Sequence, residues 1–198
     1  MRILHISDTH GCHRRLKDLP EADVIVHSGD ITMTGGADEA VDFMEWFCDL
    51  PYAHKVFIAG NHDFCLHGGE PSGLDANCHY LCNDSTVIDG LKFYGIPLSV
   101  ETAASGTLAA NYAAIPDDTD VLITHQPPKN ILDLSEGYGY GSPELRSAVM
   151  RIRPGAHLFG HIHDAAGLID SGDIIFSNGT VLSGAYTLNL RPYNIIEI

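Results

Sequence analysis

Five short groups of residues in this 198-residue chain have the side chains to do chemistry: Asp8-Thr9-His10, Gly29-Asp30, Gly60-Asn61-His62-Asp63, Thr124-His125 and Gly160-His161-Ile162-His163. Carboxylate, imidazole and amide groups bind cations, and no cysteine stands among them. The set suits manganese, iron or zinc in a nitrogen and oxygen shell rather than a thiolate zinc site. Two cations roughly 3.5–4 Å apart can clamp a phosphoryl group and activate water. Ions that close need an anion between them, which one bridging carboxylate supplies, while neutral His and Asn complete each shell. Singly, the groups say little. Asp-x-His, Gly-Asp and Gly-Asn-His-Asp all occur as ordinary turns. In Gly160-His161-Ile162-His163, alternate residues of extended chain face opposite ways, so two ligands there need a bend or two metals. Their succession, each directly after an apolar run, carries the weight.

Those runs must position the groups. Arg2–Ser7, Asp23–Ser28, Lys55–Ala59, Asp120–Thr124 and Ala156–Phe159 are short and rich in Val, Ile, Leu and Phe, the pattern of buried strands. Between them, Ala40, Val41, Met44, Phe47 and Cys48 fall at helical spacing within about Ala37–Leu50. A second helix is punctuated by Ser142 as N-cap, Pro143 at its first position, the stripe Leu145, Ala148, Val149 and Ile152, and Pro154 beyond its end. Alternating strands and helices predict an α/β fold with a largely parallel sheet. Two hairpins add antiparallel pieces: Thr86–Ile88 with Leu91–Gly95 around Asp89-Gly90, and Leu168–Asp170 with Ile174–Phe176 around Ser171-Gly172-Asp173. The expectation is two sheets packed together with helices outside. The ligand site then lies beyond the carboxyl ends of the strands, where five strands ending in Asp, Asn or His converge.

Composition narrows the function. Hydrophobic residues are 44% and charged residues 19%, the balance of a globular chain, and the length fits one domain over residues 1–198. No apolar run approaches the roughly 20 residues that span a bilayer. Asp8 follows the first apolar alternation too soon for a signal peptide, so a cytoplasmic location is expected. The formal net charge of −15, with 11 Lys and Arg, repels a nucleic-acid backbone, so no nucleic-acid partner is expected. An anionic substrate must be attracted by something else, and twelve histidines point to metal. The five cysteines follow no disulfide framework and are expected as reduced thiols.

The five groups, in this order from Asp8 to His163, resemble the calcineurin-like metallophosphoesterase superfamily, whose pattern is Asp-x-His, Gly-Asp, Gly-Asn-His-Asp/Glu, His and Gly-His-x-His. No block is missing. The resemblance implies a four-layer α-β-β-α sandwich of two mixed sheets. By position it implies that Asp8, His10 and His163 bind one metal and Asn61, His125 and His161 the other, with Asp30 bridging. It further implies in-line attack of a metal-bound hydroxide on phosphorus, with His62 donating a proton to the departing oxygen and Asp63 hydrogen-bonded to His62 to orient it. Short spacings between the first blocks leave no room for a cap domain.

A narrower similarity is to the small metallophosphoesterase-domain family, with members acting on cyclic nucleotides. It rests on Thr124-His125-Gln126-Pro127-Pro128, Ser177-Asn178-Gly179-Thr180 and Arg191-Pro192-Tyr193-Asn194. The chain departs from it at Gln126, where that family tends to have Gly, and retains both His161 and His163. The expected activity is a phosphodiesterase on small or cyclic nucleotide-like esters. A phosphomonoesterase or phosphoprotein phosphatase is the rival within the enzyme class, and a non-catalytic metal-binding scaffold is the rival outside it. His5, His27, His54, His67, His79 and His157 match no block and are expected as packed or surface residues, while His13 follows the first block closely. The Gly137-Tyr138-Gly139-Tyr140-Gly141 stretch is expected as a mobile connection, with base stacking on Tyr138 or Tyr140 as its alternative role.

Overall fold

A computed structural model describes residues 1–198 in full. Its strands in chain order are β1 (Arg2–Ile6), β2 (Val24–His27), β3 (His54–Phe57), β4 (Cys78–Tyr80), β5 (Asp84–Ile88), β6 (Leu91–Ile96), β7 (Val121–Thr124), β8 (Leu134–Ser135), β9 (Tyr138–Gly139), β10 (Ala156–Phe159), β11 (Gly167–Asp170), β12 (Ile175–Asn178) and β13 (Asn194–Glu197). The helices are α1 (Ala37–Cys48), α2 (Val100–Ser105), α3 (Thr107–Ala113) and α4 (Pro143–Ile152).

Two mixed sheets form, with orders β13-β1-β2-β3-β4 and β11-β12-β10-β7-β6-β5. The centre of each is parallel, and antiparallel strands sit only at edges: β13 against β1, β11 against β12 and β5 against β6. Period-2 alternation decides the layers. In β1, Ile3 faces the second sheet while Leu4 and Ile6 face α1. Ile3, Val24, Val26 and Val56 of the first sheet meet Phe93, Val121, Ile123 and Leu158 of the second in one fully buried layer. Phe43 and Phe47 of α1 cover the outside of the first sheet, and Leu108, Tyr112, Leu145 and Val149 of α3 and α4 cover the outside of the second. This is the expected four-layer sandwich.

Helix α4 ends as its sequence dictates: Ser142 Oγ accepts from the Leu145 amide at 3.0 Å, and Arg153, in a left-handed conformation, closes it before Pro154. Both hairpins form. β1, β2 and β3 end one or two residues earlier than the apolar runs suggest, because the residues next in line turn toward the site, whereas β7 and β10 end where their runs do. β4, β13, α2 and α3 had no legible signal. The Gly137–Gly141 stretch contributes Tyr138 and Gly139 to a short two-stranded hairpin, β8 with β9. Asp133 fixes its base, accepting from the Asn130 amide at 2.9 Å and the Gly141 amide at 3.0 Å, and its Tyr138 is 70% exposed. All five cysteines are free. No helix is long and apolar enough to cross a membrane.

Candidate metal centre

The loops that leave the two sheets at their carboxyl ends knit together. Beyond β1 and β2 the chain keeps a ladder, with the Asp8 amide on the Gly29 carbonyl at 2.9 Å and the His10 amide on the Asp30 carbonyl at 3.0 Å. The loop after β10, in the other sheet, docks on the first: the His161 amide donates to the Asp8 carboxylate at 3.0 Å. Thr180 beyond β12 adds its hydroxyl to the same carboxylate at 2.9 Å. His125, after β7, donates from Nδ1 to the Ser28 carbonyl at 2.8 Å. The side chains nominated by sequence therefore also close the open end of the sandwich.

Three groups of ligand atoms lie within 4.8 Å of one another: Asp8, His10 and His163; His10, Asp30 and His62; and Asp30, His125 and His161. Asp30 belongs to two of them, with Oδ2 at 3.6 Å from His10 Nε2 and 3.3 Å from His125 Nε2. Asp8 Oδ1 stands 3.5 Å from His163 Nε2. Asn61 Oδ1 is buried without a hydrogen-bond partner.

The bonding of the rings says what they are for. His10 Nδ1 donates to the Thr32 carbonyl at 3.1 Å, His125 Nδ1 to Ser28 and His163 Nδ1 to the Ser183 carbonyl at 3.1 Å. Each carbonyl fixes the ring with its proton on Nδ1 and its Nε2 lone pair aimed inward, the arrangement of a metal-binding imidazole. Nε2 of His10 and of His125 is buried with no hydrogen-bond partner, as is Asn61 Oδ1. Buried polar atoms left bare are costly, and the two ring nitrogens facing the Asp30 carboxylate fit a cation site.

The electrostatics agree. Burial would favour the neutral acid of Asp8, yet His163 and His125 outweigh it and hold this carboxyl far below the usual range. Burial works against charge on His125, but Asp30 and then Asp8 hold its proton up to about 9. The two carboxylates demand positive charge at this spot, which a proton on His125 or a cation on the same atoms can provide. His161 goes the other way, held neutral down to about 4 chiefly by burial.

The backbone is bent to the purpose. Asp8, His10, Asp30 and His161 have φ of 55°, 42°, 57° and 69°, in a left-handed region that costs a non-glycine residue about 1 kcal/mol or more each. The bend at His161 answers the problem of His161 and His163 pointing apart. Neighbouring glycines make room, since a β-carbon at Gly60 would strike the Asp30 side chain and one at Gly160 would strike Asp8 and Ser7.

One expected contact is absent. Asp63 does not bond the His62 ring; it accepts from the amides of Gly60 at 2.8 Å, Ile31 at 3.2 Å and Thr32 at 2.9 Å, and from the Thr32 hydroxyl. It points inward to pin the β2 and β3 loops together, and burial followed by the charge of Asp30 raises its carboxyl to about 6. His62 is oriented instead by the Met33 carbonyl, which accepts from Nδ1 at 3.0 Å. Its ring packs edge-on to His10, centroids 4.8 Å apart.

Three of the histidines expected as packed or surface residues, His5, His27 and His157, form a buried layer beneath the site. His5 links Ser28 and Ser177, at 2.9 and 2.7 Å, across the two sheets; His27 bonds the Thr9 hydroxyl at 3.0 Å; His157 bonds Thr124 at 2.9 Å. Burial keeps all three neutral down to about 3. Their only signal was position, three or four residues before a ligand on the same strand. The Gln126 departure has a local role, since Gln126 Nε2 reaches the Tyr140 carbonyl at 3.4 Å and its Oε1 accepts from Tyr112.

A family model described as calcineurin-like phosphoesterase matches residues 1–165. The chain is similar to a UPF0046 protein of Caenorhabditis elegans, 34% identical over 91% of the chain and 75% of that protein. It is also similar to metallophosphoesterase domain-containing protein 1 of Homo sapiens, 30% identical over 98% of the chain and 68% of that protein. The crystal structure of TT1561 of Thermus thermophilus superposes over 90% of the chain and 88% of its own, with a TM-score of 0.59 at 14% identity, a likeness of fold alone.

Proposed function

The chain belongs to the calcineurin-like phosphoesterase family, whose chemistry is metal-dependent phosphoester hydrolysis, and from that premise we propose that it is a phosphodiesterase acting on small or cyclic nucleotide-like diesters. The observation that carries the reading is the pair of bare ring nitrogens, His10 Nε2 and His125 Nε2, facing a carboxylate shared between two ligand groups. Asp8, His10 and His163 would hold one ion, Asn61, His125 and His161 a second, and Asp30 both. Manganese, iron or zinc suits such a nitrogen and oxygen set. Bound there, the pair would supply positive charge to polarise phosphoryl oxygens and to acidify water.

The remaining work falls to the chain's own groups. The carbonyls of Thr32, Ser28 and Ser183 keep each imidazole in the ligating tautomer. His62 holds a proton on the ring nitrogen opposite Met33 and delivers it to the oxygen of the departing alcohol. The Met33 carbonyl supports that role by accepting from Nδ1 in either protonation state. Asp63 keeps the Gly60 and Thr32 loops in register, so that Asn61 and Asp30 arrive together. We read residues 1–198 as one domain without a cap, which leaves the site open to small esters and favours diesters carrying no bulky protein.

The test is a turnover screen of the manganese-loaded protein with a bis-ester, a simple monoester, and 2′,3′- and 3′,5′-cyclic nucleotides. Hydrolysis of diesters at least tenfold faster than the monoester is expected. A reversed preference would replace this reading with a phosphomonoesterase, and no turnover of any ester would leave a metal-binding scaffold.

A further inference from the structure

Tyr186 belongs to no recognisable motif, yet it stands against two of the site's histidines. Its ring centroid lies 5.2 Å from that of His10 and 5.2 Å from that of His163. It nevertheless remains 43% exposed, whereas His10 beneath it is 3% exposed. The turn that carries it is tightly built: the Ser183 amide donates to the Thr187 carbonyl at 2.8 Å, and the Tyr186 amide donates to the Ser183 carbonyl at 2.8 Å. Ser183 Oγ joins Thr187 Oγ1 at 2.8 Å. The same Ser183 carbonyl receives His163 Nδ1, so turn and metal ligand are fixed to each other. Tyr186 itself has φ 57°, a conformation a tyrosine adopts only when its surroundings impose it.

A large aromatic face held half in water beside a cation site has an evident use. Of the rings around His10, Tyr186 is exposed while His62 and His163 are partly so. With the phosphoryl group at the ligand cluster and the departing oxygen at His62, the organic part of the ester must extend past these rims. A rigid phenol ring offers it a stacking surface at little entropic cost, and any planar heterocycle has a face to match. Resting on the phosphoesterase reading above, we propose that Tyr186 is a specificity residue: it stacks the planar aryl or nucleobase group of the substrate and so favours such esters over small alkyl ones.

Binding, independent of turnover, tests this. Manganese-loaded wild type, Tyr186→Ala and Tyr186→Phe are titrated by calorimetry with inorganic phosphate, phenyl phosphate and adenosine 5′-monophosphate. Manganese content and melting temperature verify that each variant keeps its site. The alanine variant is expected to bind the two aromatic phosphates about 10-fold more weakly, the size of one aromatic stack, and inorganic phosphate within about 2-fold of wild type. The phenylalanine variant should match wild type on all three. Equal weakening of inorganic phosphate and the aromatic phosphates, or no weakening at all, overturns the assignment and leaves Tyr186 as packing for His10 and His163. Failure of the wild type to bind inorganic phosphate would instead remove the phosphoesterase reading, and this inference with it.

Discussion

The rim of the sandwich and the layer just below it use the same residue for opposite ends. At the rim, His10 and His125 spend Nδ1 on a backbone carbonyl and leave Nε2 bare. One step down, His5 and His27 have both ring nitrogens bonded, His5 to two serine hydroxyls and His27 to Thr9 and the Gly29 amide. Burial is almost equal in the two places, at 3% or less of each of these side chains exposed. What differs is whether an acceptor has been left without a partner. A bare nitrogen alone does not mark a ligand, since His157 Nδ1 in the lower layer is also buried without a partner; at the rim the bare nitrogens of His10 and His125 also face the Asp30 carboxylate.

The strongest way to break the comparison is to remove the carboxylate that the bare nitrogens face. Asp30→Ala is expected to empty both metal positions together, because two dications without a shared anion repel each other in a buried pocket. Activity should fall by about 10³-fold or more, the loss of several kcal/mol of charge stabilisation. Metal analysis of the purified variant decides the matter, and nearly two metals per chain would rule out a bridging role.

His62 should behave otherwise, since its Nδ1 is tied like a rim histidine but its ring is partly exposed. His62→Ala is expected to keep its metals and to lose about 10²–10⁴-fold in kcat/KM on alkyl diesters, with far smaller losses on nitrophenyl esters, whose anion leaves without a proton. Equal losses on both ester types would contradict the acid role.

Asp63 tests the boundary between the two layers. Asp63→Ala would leave the amides of Gly60, Ile31 and Thr32 without their acceptor, and unsatisfied buried donors cost about 1–3 kcal/mol each. Stability measured in urea should drop by about 3 kcal/mol. If Asp63 served only to orient His62, the drop would stay below about 1 kcal/mol.

The smallest effect belongs to the layer of struts. His157 stays neutral down to about 3 in the folded chain because it is buried, while an unfolded histidine takes a proton near 6.5. Between those values the unfolded chain binds more protons. The stability that depends on neutral His157 is therefore complete above pH 6.5 and is lost as pH falls toward 3, by about 1.4 kcal/mol per unit. The unfolding free energy of wild type minus that of His157→Gln, measured at pH 7, 6 and 5, should decline by about half that slope from pH 7 to 6, where the unfolded histidine is only partly protonated, and close to the full slope from pH 6 to 5. A pH-independent difference would show that His157 titrates normally.

The same contrast explains what the sequence made legible. Asp8, Asp30, Asn61, His125 and His161, the proposed ligands, stand out in the sequence because each follows an apolar run at a strand's end. His5 and His157 lie inside such runs, and their partners Ser177 and Thr124 lie 172 and 33 residues away. Asp63 differs from what the resemblance implied: in place of the His62 ring, its inward-pointing carboxylate found amides 31 and 32 residues back. β13 was unreadable because an edge strand needs only a partner, here β1 at the far end of the chain. Tyr186 has no periodic or motif context, and only the turn that carries it brings it to His10.

The left-handed residues bear on how such a protein can change over generations. Gly in place of Asp8 or Asp30 would relax the backbone at that position, whereas alanine there inherits the awkward conformation and offers nothing in return. Metal-free Asp30→Gly should accordingly melt higher than metal-free Asp30→Ala. A selection that rewarded heat resistance alone would drift toward the glycine and erase the centre, so only a continuing demand for its chemistry keeps aspartate where glycine sits more comfortably.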